Sequence, residues 1–236
     1  MDTKRRCKIV EEPNATEDII FLHGFTSSRE MQYPMAKHFE NKHKYNIIRC
    51  DARGHGSDKS GDKGDWAGTI NDINELIANR SHNTILIGHS MGGTMAITIG
   101  ISNPLVKKVF AVGAVHGREM LTDEKIAFFS KRSGLNYEEK YEILIGDALP
   151  SQTEQCKDGN NEKFYLIHAK QDTIVPFDQF EANKRDLCLN DENTLVYDEI
   201  IPSKLFNEDL AHIIPFYKKE TLDFIEKSLE NKPVGE

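Results

Sequence analysis

The residues with the clearest chemical potential in this chain are a serine framed by glycines, Gly88-His89-Ser90-Met91-Gly92. Their spacing matches G-x-S-x-G, in which the serine occupies a tight turn between a strand and a helix. Such a turn strains the backbone of the serine, and glycines two residues away remove the Cβ atoms that would clash. The N-terminus of the following helix also favours a developing negative charge. Ser90 is therefore predicted to be a nucleophile.

A serine hydroxyl is a weak nucleophile, so it needs a base within hydrogen-bonding distance and an acid that orients the base. When the serine lies in a strand–turn–helix motif, the three residues are expected to follow one another along the chain in the order serine, acid, histidine. Of the two histidines late in the chain, His168 ends an apolar run, so His212 is the predicted base. Asp172, in the loop after that run, is the predicted acid, and Asp178 is the alternative.

Two backbone amides are expected to bind the oxyanion that forms in such a reaction. One is the amide of Met91, directly after the nucleophile. The other is the amide of Phe25, because the preceding Gly24 lets the backbone approach the site closely. Phe25 and Met91 would donate through the main chain, which leaves their side chains free to line a pocket.

The elements that must position these residues alternate between short apolar strands and longer helical segments. Strands are predicted at 19–22, 45–50, 84–87, 109–115, 164–167 and 194–197. Helices are predicted at 31–39, 66–77, 91–101, 177–189 and 214–229. Pro215 is expected in the first turn of the last helix, where no amide donor is needed. This alternation predicts an α/β fold with a mostly parallel sheet and helices on both faces.

One polar segment, residues 116–161, interrupts the alternation. We predict a small helical lid there, inserted into a single domain that spans residues 1–236. Its larger apolar side chains are expected to pack within the lid or, alternatively, to cover an acyl chain. They are Phe128, Phe129, Leu135 and Tyr137.

Composition narrows the classes of function. The formal net charge of -8 argues against a nucleic-acid partner, and the short basic run at 4–6 is interpreted as a solvated end. No apolar run approaches the length of a membrane span, and the charged first residues lack the apolar core of a signal peptide. The four cysteines are far apart and form no CxxC pair, which predicts free thiols and a cytoplasmic protein.

Five motifs, taken in order, resemble the α/β-hydrolase superfamily, in particular its lid-bearing esterases and lipases and the monoacylglycerol-lipase-like branch. They are Leu22-His23-Gly24-Phe25, Asp51-Ala52-Arg53-Gly54-His55-Gly56-Ser57, Gly88-His89-Ser90-Met91-Gly92-Gly93, Asp172-Thr173-Ile174-Val175-Pro176, and His212. The resemblance spans 19–229 and implies a Ser–Asp–His triad, a small-molecule acyl substrate and no cofactor; no metal site is predicted. Arg53 and His55 are interpreted as scaffold. The short segment before residue 19 predicts a reduced N-terminal region, with one strand at most, at 8–10.

These observations predict a serine hydrolase that cleaves carboxylic esters through an acyl-enzyme. Thioesters, C–C bonds and aminoacyl amides remain alternative targets for the same three side chains. A non-catalytic protein that binds ligands in the same pocket is the alternative from a different class. Dehalogenases and epoxide hydrolases of this fold carry an aspartate at the nucleophile position, so Ser90 argues against both.

Overall fold

The computed structural model describes residues 6–58, 65–116, 156–198 and 210–230. Seven strands in these residues form one sheet. They are β1 (Cys7–Val10), β2 (Glu17–Leu22), β3 (Tyr45–Cys50), β4 (Asn83–His89), β5 (Val106–Val112), β6 (Phe164–Ala169) and β7 (Thr194–Tyr197). Their order across the sheet is β1-β3-β2-β4-β5-β6-β7. β1 runs antiparallel to β3 and the other neighbours are parallel, which confirms the predicted mostly parallel sheet.

Helices cover both faces of the sheet, as predicted. They are α1 (Tyr33–Glu40), α2 (Trp66–Ala78), α3 (Met91–Ser102), α4 (Asn160–Lys163), α5 (Phe177–Asp186), α6 (Leu210–Tyr217) and α7 (Lys219–Glu230). Side chains of β2 alternate between two buried clusters, because successive strand residues point to opposite faces. Ile20 and Leu22 pack with α2, α3 and α5, whereas Ile19 and Phe21 pack with α1, α6 and α7.

The C-terminal helical region differs from the prediction. Pro215 lies inside α6 and does not begin the closing helix, which runs separately as α7. His212 therefore sits within α6 and not on a loop before the closing helix. The hydroxyl of Thr221 donates to the carbonyl of Pro215, so α7 holds α6 in place. The helical spacing of the apolar residues continues across the break between α6 and α7, so the sequence pattern did not separate the two helices.

The prediction of free thiols was wrong. Cys7 forms a disulfide with Cys50, and Cys156 forms one with Cys188. Antiparallel pairing of β1 with β3 sets Cys7 directly opposite Cys50, with 4.0 Å between their Cα atoms. Residues far apart in sequence thus become neighbours across a sheet, a relation that cysteine spacing does not encode.

The predicted lid lies outside the described residues except at its two ends, 116 and 156–161. Its four apolar side chains, at positions 128, 129, 135 and 137, also lie outside them. Within the part of the chain that the structure describes, no helix is both long and apolar enough to cross a membrane.

Candidate active site

Ser90 lies at the tight turn between β4 and α3. Its backbone has φ 55° and ψ -123°, and its amide donates to the carbonyl of Val112 at 2.8 Å. Glycine is required on both sides of it. A Cβ on Gly88 would stand 2.2 Å from the carbonyl oxygen of Gly92, and a Cβ on Gly92 would stand 2.1 Å from that of Leu22. The turn therefore holds Ser90 in a strained backbone conformation at the carboxyl edge of the sheet.

The loop after β2 runs directly beside Ser90. A Cβ on Gly24 would stand 3.2 Å from Cβ of Ser90, so the main chain at this point borders the serine. His23 fixes the loop, since its Nε2 accepts from the Ala52 amide at 3.0 Å and its Nδ1 donates to the Gly24 carbonyl at 2.8 Å. Burial lowers the pKa of His23 to about 4, which keeps this imidazole neutral.

Asp172 is buried in the loop after β6 and accepts three hydrogen bonds. Its Oδ1 accepts from the amides of Ile174 and Val175, both at 2.9 Å. Its Oδ2 lies 2.7 Å from Nδ1 of His212. Burial alone would raise the pKa of Asp172, but the hydrogen bond from His212 and the neighbouring imidazoles bring it below its ordinary value. The carboxylate is therefore ionised and holds the Nδ1–H tautomer of His212.

His168, near the end of β6, has a structural role. Its Nε2 donates to the carbonyl of Val175 at 2.9 Å, which closes the loop that carries Asp172. Asp178, the alternative acid, is exposed in the first turn of α5. Arg53 forms ion pairs with Asp65 and Asp72, at 2.6 and 2.7 Å, and is thus part of the scaffold.

A cavity of about 250 Å³ opens at this edge of the sheet, and both Ser90 and His212 line it. Phe25 and Gly24 line it as well, whereas Asp172 lies behind His212. Among the described residues the Ser90 hydroxyl makes no hydrogen bond, so no bond to His212 is formed in this state. In unliganded enzymes such contacts are often long and shorten when substrate binds.

The sequence placed His89 in the turn before Ser90 but did not predict its contacts. Its Nε2 donates to the main-chain carbonyl of His212 at 2.9 Å, and the two rings lie 4.7 Å apart. Burial lowers the pKa of His89 to about 3, so the ring is neutral and acts as a fixed donor. His89 therefore connects the turn that carries Ser90 to the helix that carries His212.

The comparisons with known proteins agree with this architecture. A family model described as the alpha/beta hydrolase fold matches residues 19–139, just over half of the chain. The structure of an esterase from Exiguobacterium antarcticum superposes with a TM-score of 0.66 at 18% identity, over 95% of each chain.

Two curated relatives are similar over part of their length. A putative esterase/lipase of Mycoplasma genitalium is 29% identical over 55% of this chain and 53% of its own. A putative 2-succinyl-6-hydroxy-2,4-cyclohexadiene-1-carboxylate synthase of Bacillus subtilis is 29% identical over 53% of this chain and 49% of its own. The chain thus spans about half the length of these relatives. From the family match and the seven-stranded, mostly parallel sheet, we conclude that this chain belongs to the α/β-hydrolase fold family.

Proposed function

We propose that this protein is a serine hydrolase that cleaves carboxylic esters with a small acyl group. One observation carries the proposal: Ser90, on its strained turn, and His212, hydrogen-bonded to the ionised Asp172, line the same cavity. Distant relatives named as esterases or lipases support the ester as the target bond. A cavity of about 250 Å³ is smaller than most ligand pockets, which hold about 300–1,000 Å³, and this favours short acyl groups.

The proposed reaction follows from the tautomer of His212, whose Nδ1 carries the proton and whose Nε2 can accept one. Oγ of Ser90 attacks the ester carbonyl and passes its proton to Nε2 of His212, while Asp172 stabilises the imidazolium through Nδ1. The amides of Phe25 and Met91 bind the oxyanion. Collapse of the intermediate expels the alcohol, which takes the proton from His212. A water molecule, deprotonated by the same imidazole, then attacks the acyl-enzyme. When this second intermediate collapses, the bond to Oγ of Ser90 breaks, His212 returns the proton to Oγ, and the carboxylic acid leaves.

An active-site phosphonate combined with a substrate panel tests this proposal. A fluorophosphonate is expected to modify the protein once, and mass spectrometry is expected to place the phosphonyl group on Ser90. Matched butyryl esters, butyryl thioesters and aminoacyl amides are then compared by kcat/KM, and the esters are expected to react fastest. A label on another residue, or faster thioester or amide cleavage, would contradict the assignment of nucleophile or of bond type.

His89 is expected to position the base of this reaction. His89→Phe keeps a planar ring but removes the donor to the His212 carbonyl, so α6 loses its hydrogen bond to the turn of Ser90 and keeps only ring contacts there. A small displacement of a reacting group lowers rates by about 100-fold. We therefore expect kcat to fall by about 10- to 100-fold with little change in KM, measured with a butyryl ester.

Two further variants separate positioning from a general loss of structure. His89→Gln restores an N–H donor and is expected to recover part of kcat. His38→Phe alters an imidazole on α1 that contacts Glu226 and does not line the cavity, and it is expected to leave kcat unchanged. Equal kcat values in His89→Phe and His38→Phe would show that the contact with His212 has no role in catalysis.

A further inference from the structure

Thr26 has a backbone conformation that threonine rarely adopts. Its φ is 62°, in the left-handed region, where a β-branched residue is an outlier. Among the described residues other than glycine, three more have a positive φ, namely His43, Ser90 and Cys188. Of these four residues, Ser90 and Thr26 line the cavity that also holds His212. Strained residues cluster at functional sites, so the conformation of Thr26 indicates a function if folding does not account for it.

Folding of the unliganded protein gives no reason for threonine at this position. Residues 24–27 form a turn that the Ser27 amide closes by donating to the Gly24 carbonyl at 3.2 Å. Thr26 is the third residue of this turn, a position where a positive φ favours glycine or asparagine. Thr26 is exposed, and its hydroxyl makes no hydrogen bond to any described residue. Threonine therefore adds backbone strain, while its side chain contributes little packing and no hydrogen bond.

The turn itself forms part of the cavity wall. All four of its residues line the cavity beside Ser90, and a Cβ on Gly24 would stand 3.2 Å from Cβ of Ser90. The second residue of the turn is Phe25, whose amide is the proposed oxyanion donor. Thr26 follows directly, so an ester whose carbonyl oxygen lies at that amide is within reach of the exposed Thr26 side chain.

The hydroxyls of this turn indicate what the turn can bind. Ser27 follows Thr26 in the wall, and its hydroxyl is likewise unpaired among the described residues and open to solvent. Two neighbouring hydroxyl donors suit an oxygen with two lone pairs, such as an ether or a carbonyl oxygen. The described lining holds no Asp, Glu, Lys or Arg, so a charged group would find no counter-ion there. A neutral acceptor oxygen therefore fits the turn best.

We propose that Thr26 is a specificity-determining residue that, together with Ser27, donates hydrogen bonds to a neutral acceptor oxygen of the substrate. The proposal rests on the ester hydrolysis proposed at Ser90 and narrows its substrates to esters with a further ether or carbonyl oxygen. That oxygen is carried by either the acyl or the alcohol part of the ester. A site that hydrogen-bonds a substrate group discriminates against the analogue that lacks this group.

The test compares esters in which an ether oxygen replaces one methylene group. Ethyl 3-methoxypropanoate against ethyl pentanoate tests the acyl side, and 2-methoxyethyl butyrate against butyl butyrate tests the alcohol side. Thr26→Val keeps the β-branched shape and the strain but removes the hydroxyl. For one pair, the ratio of kcat/KM for the ether ester to that for the alkyl ester is expected to be about 3- to 10-fold lower in Thr26→Val than in the wild type. Because the same two esters are compared in both proteins, their difference in intrinsic reactivity cancels.

Thr26→Ser separates the loss of the hydroxyl from a change in shape. It retains the donor and is expected to keep about the wild-type ratio for both pairs. If both ratios are the same in Thr26→Val as in the wild type, the proposal is overturned. A ratio that falls equally in Thr26→Ser and Thr26→Val would assign the preference to the methyl group and would also overturn it.

Thermal unfolding tests whether the fold needs the threonine. Thr26→Gly relieves the strain and is expected to raise Tm of the unliganded protein by about 2 °C while losing the ether preference. His43→Gly is a matched control, because His43 also has a positive φ, of 51°, but does not line the cavity. This control is expected to leave kcat/KM for all four esters unchanged. A Tm of Thr26→Gly at or below that of the wild type would show that the side chain serves the fold and would overturn the proposal.

Binding measured without catalysis separates this proposal from the ester-hydrolysis proposal. In the Ser90→Ala background, isothermal titration is expected to show that Thr26→Val weakens binding of the ether ester of the responsive pair by about 3- to 10-fold. Binding of the alkyl ester is expected to stay the same. If this pattern of binding is found but the wild-type protein turns over no ester, the proposed function alone is contradicted. Equal effects of Thr26→Val on both esters would overturn the proposal for Thr26 alone.

Discussion

Ser90→Ala is expected to lower kcat for the preferred ester by about a million-fold, the loss typical of removing a nucleophile from an acyl-enzyme mechanism. Alanine retains the Cβ of serine, so the strained backbone at φ 55° is no less compatible with it. The hydroxyl that is lost makes no hydrogen bond to the described residues, and it does not cap α3. The variant should therefore fold with an unchanged Tm and bind esters without cleaving them.

Kinetics and phosphonate labelling check this prediction together. Ser102→Ala removes a hydroxyl from the exposed end of the same helix and is expected to retain wild-type kcat. Stopped-flow measurement with an excess of a chromogenic ester should show no initial burst of alcohol release in Ser90→Ala. Residual turnover within a factor of 100 of wild type, from protein free of contaminating esterase, would exclude Ser90 as the nucleophile.

Asp172→Asn is expected to lower kcat by about ten-thousand-fold at neutral pH, because the amide imposes the wrong tautomer on His212. The amides of Ile174 and Val175 both donate to Oδ1, so they hold the oxygen of the new carboxamide in that place. Its NH₂ group then faces Nδ1 of His212, at the position of Oδ2. Nδ1 becomes an acceptor, the ring proton moves to Nε2, and Nε2 no longer accepts the proton of Ser90.

The contrast with Asp178→Asn makes this prediction specific. Asp178 is exposed at the start of α5, so its variant is expected to stay within a factor of two of wild type. NMR of the imidazole nitrogens should show a protonated Nδ1 of His212 in the wild type and a protonated Nε2 in Asp172→Asn. The same tautomer in both proteins, or equal kcat values for the two aspartate variants, would contradict the role given to Asp172.

Local patterns were sufficient to predict most of the fold. Short apolar runs located every parallel strand of the sheet, and Tyr45–Cys50 and Thr194–Tyr197 have the predicted bounds. The G-x-S-x-G spacing predicted a turn whose glycines admit no Cβ, and the coordinates show that crowding at Gly88 and Gly92. The strand positions and the contact of Gly88 with Gly92 depend on residues close together in the chain, which is the information that a sequence displays directly.

Features that depend on long-range contacts could not be predicted in the same way. The Cys7–Cys50 disulfide requires the register of β1 on β3, which is fixed only when the sheet forms. The contact of His89 with His212 joins residues 123 positions apart in the chain. The described residues give the buried carboxamide of Gln32 no hydrogen-bond partner, which is visible only from the coordinates of its neighbours. The sequence therefore predicted which residues form the candidate site, whereas the contacts between those residues could be found only from the coordinates.

The glycine contacts around Ser90 also restrict how this protein can evolve. Gly88 meets the main chain of α3, and Gly92 meets the main chain of β2, so neither position has room for even one methyl group. Flexible side chains can yield to a larger neighbour, but packed backbones cannot do so without moving a strand. Single substitutions that change the substrate range are therefore expected among the residues of the cavity wall. The glycines of the turn are expected to stay unchanged as long as the fold is kept.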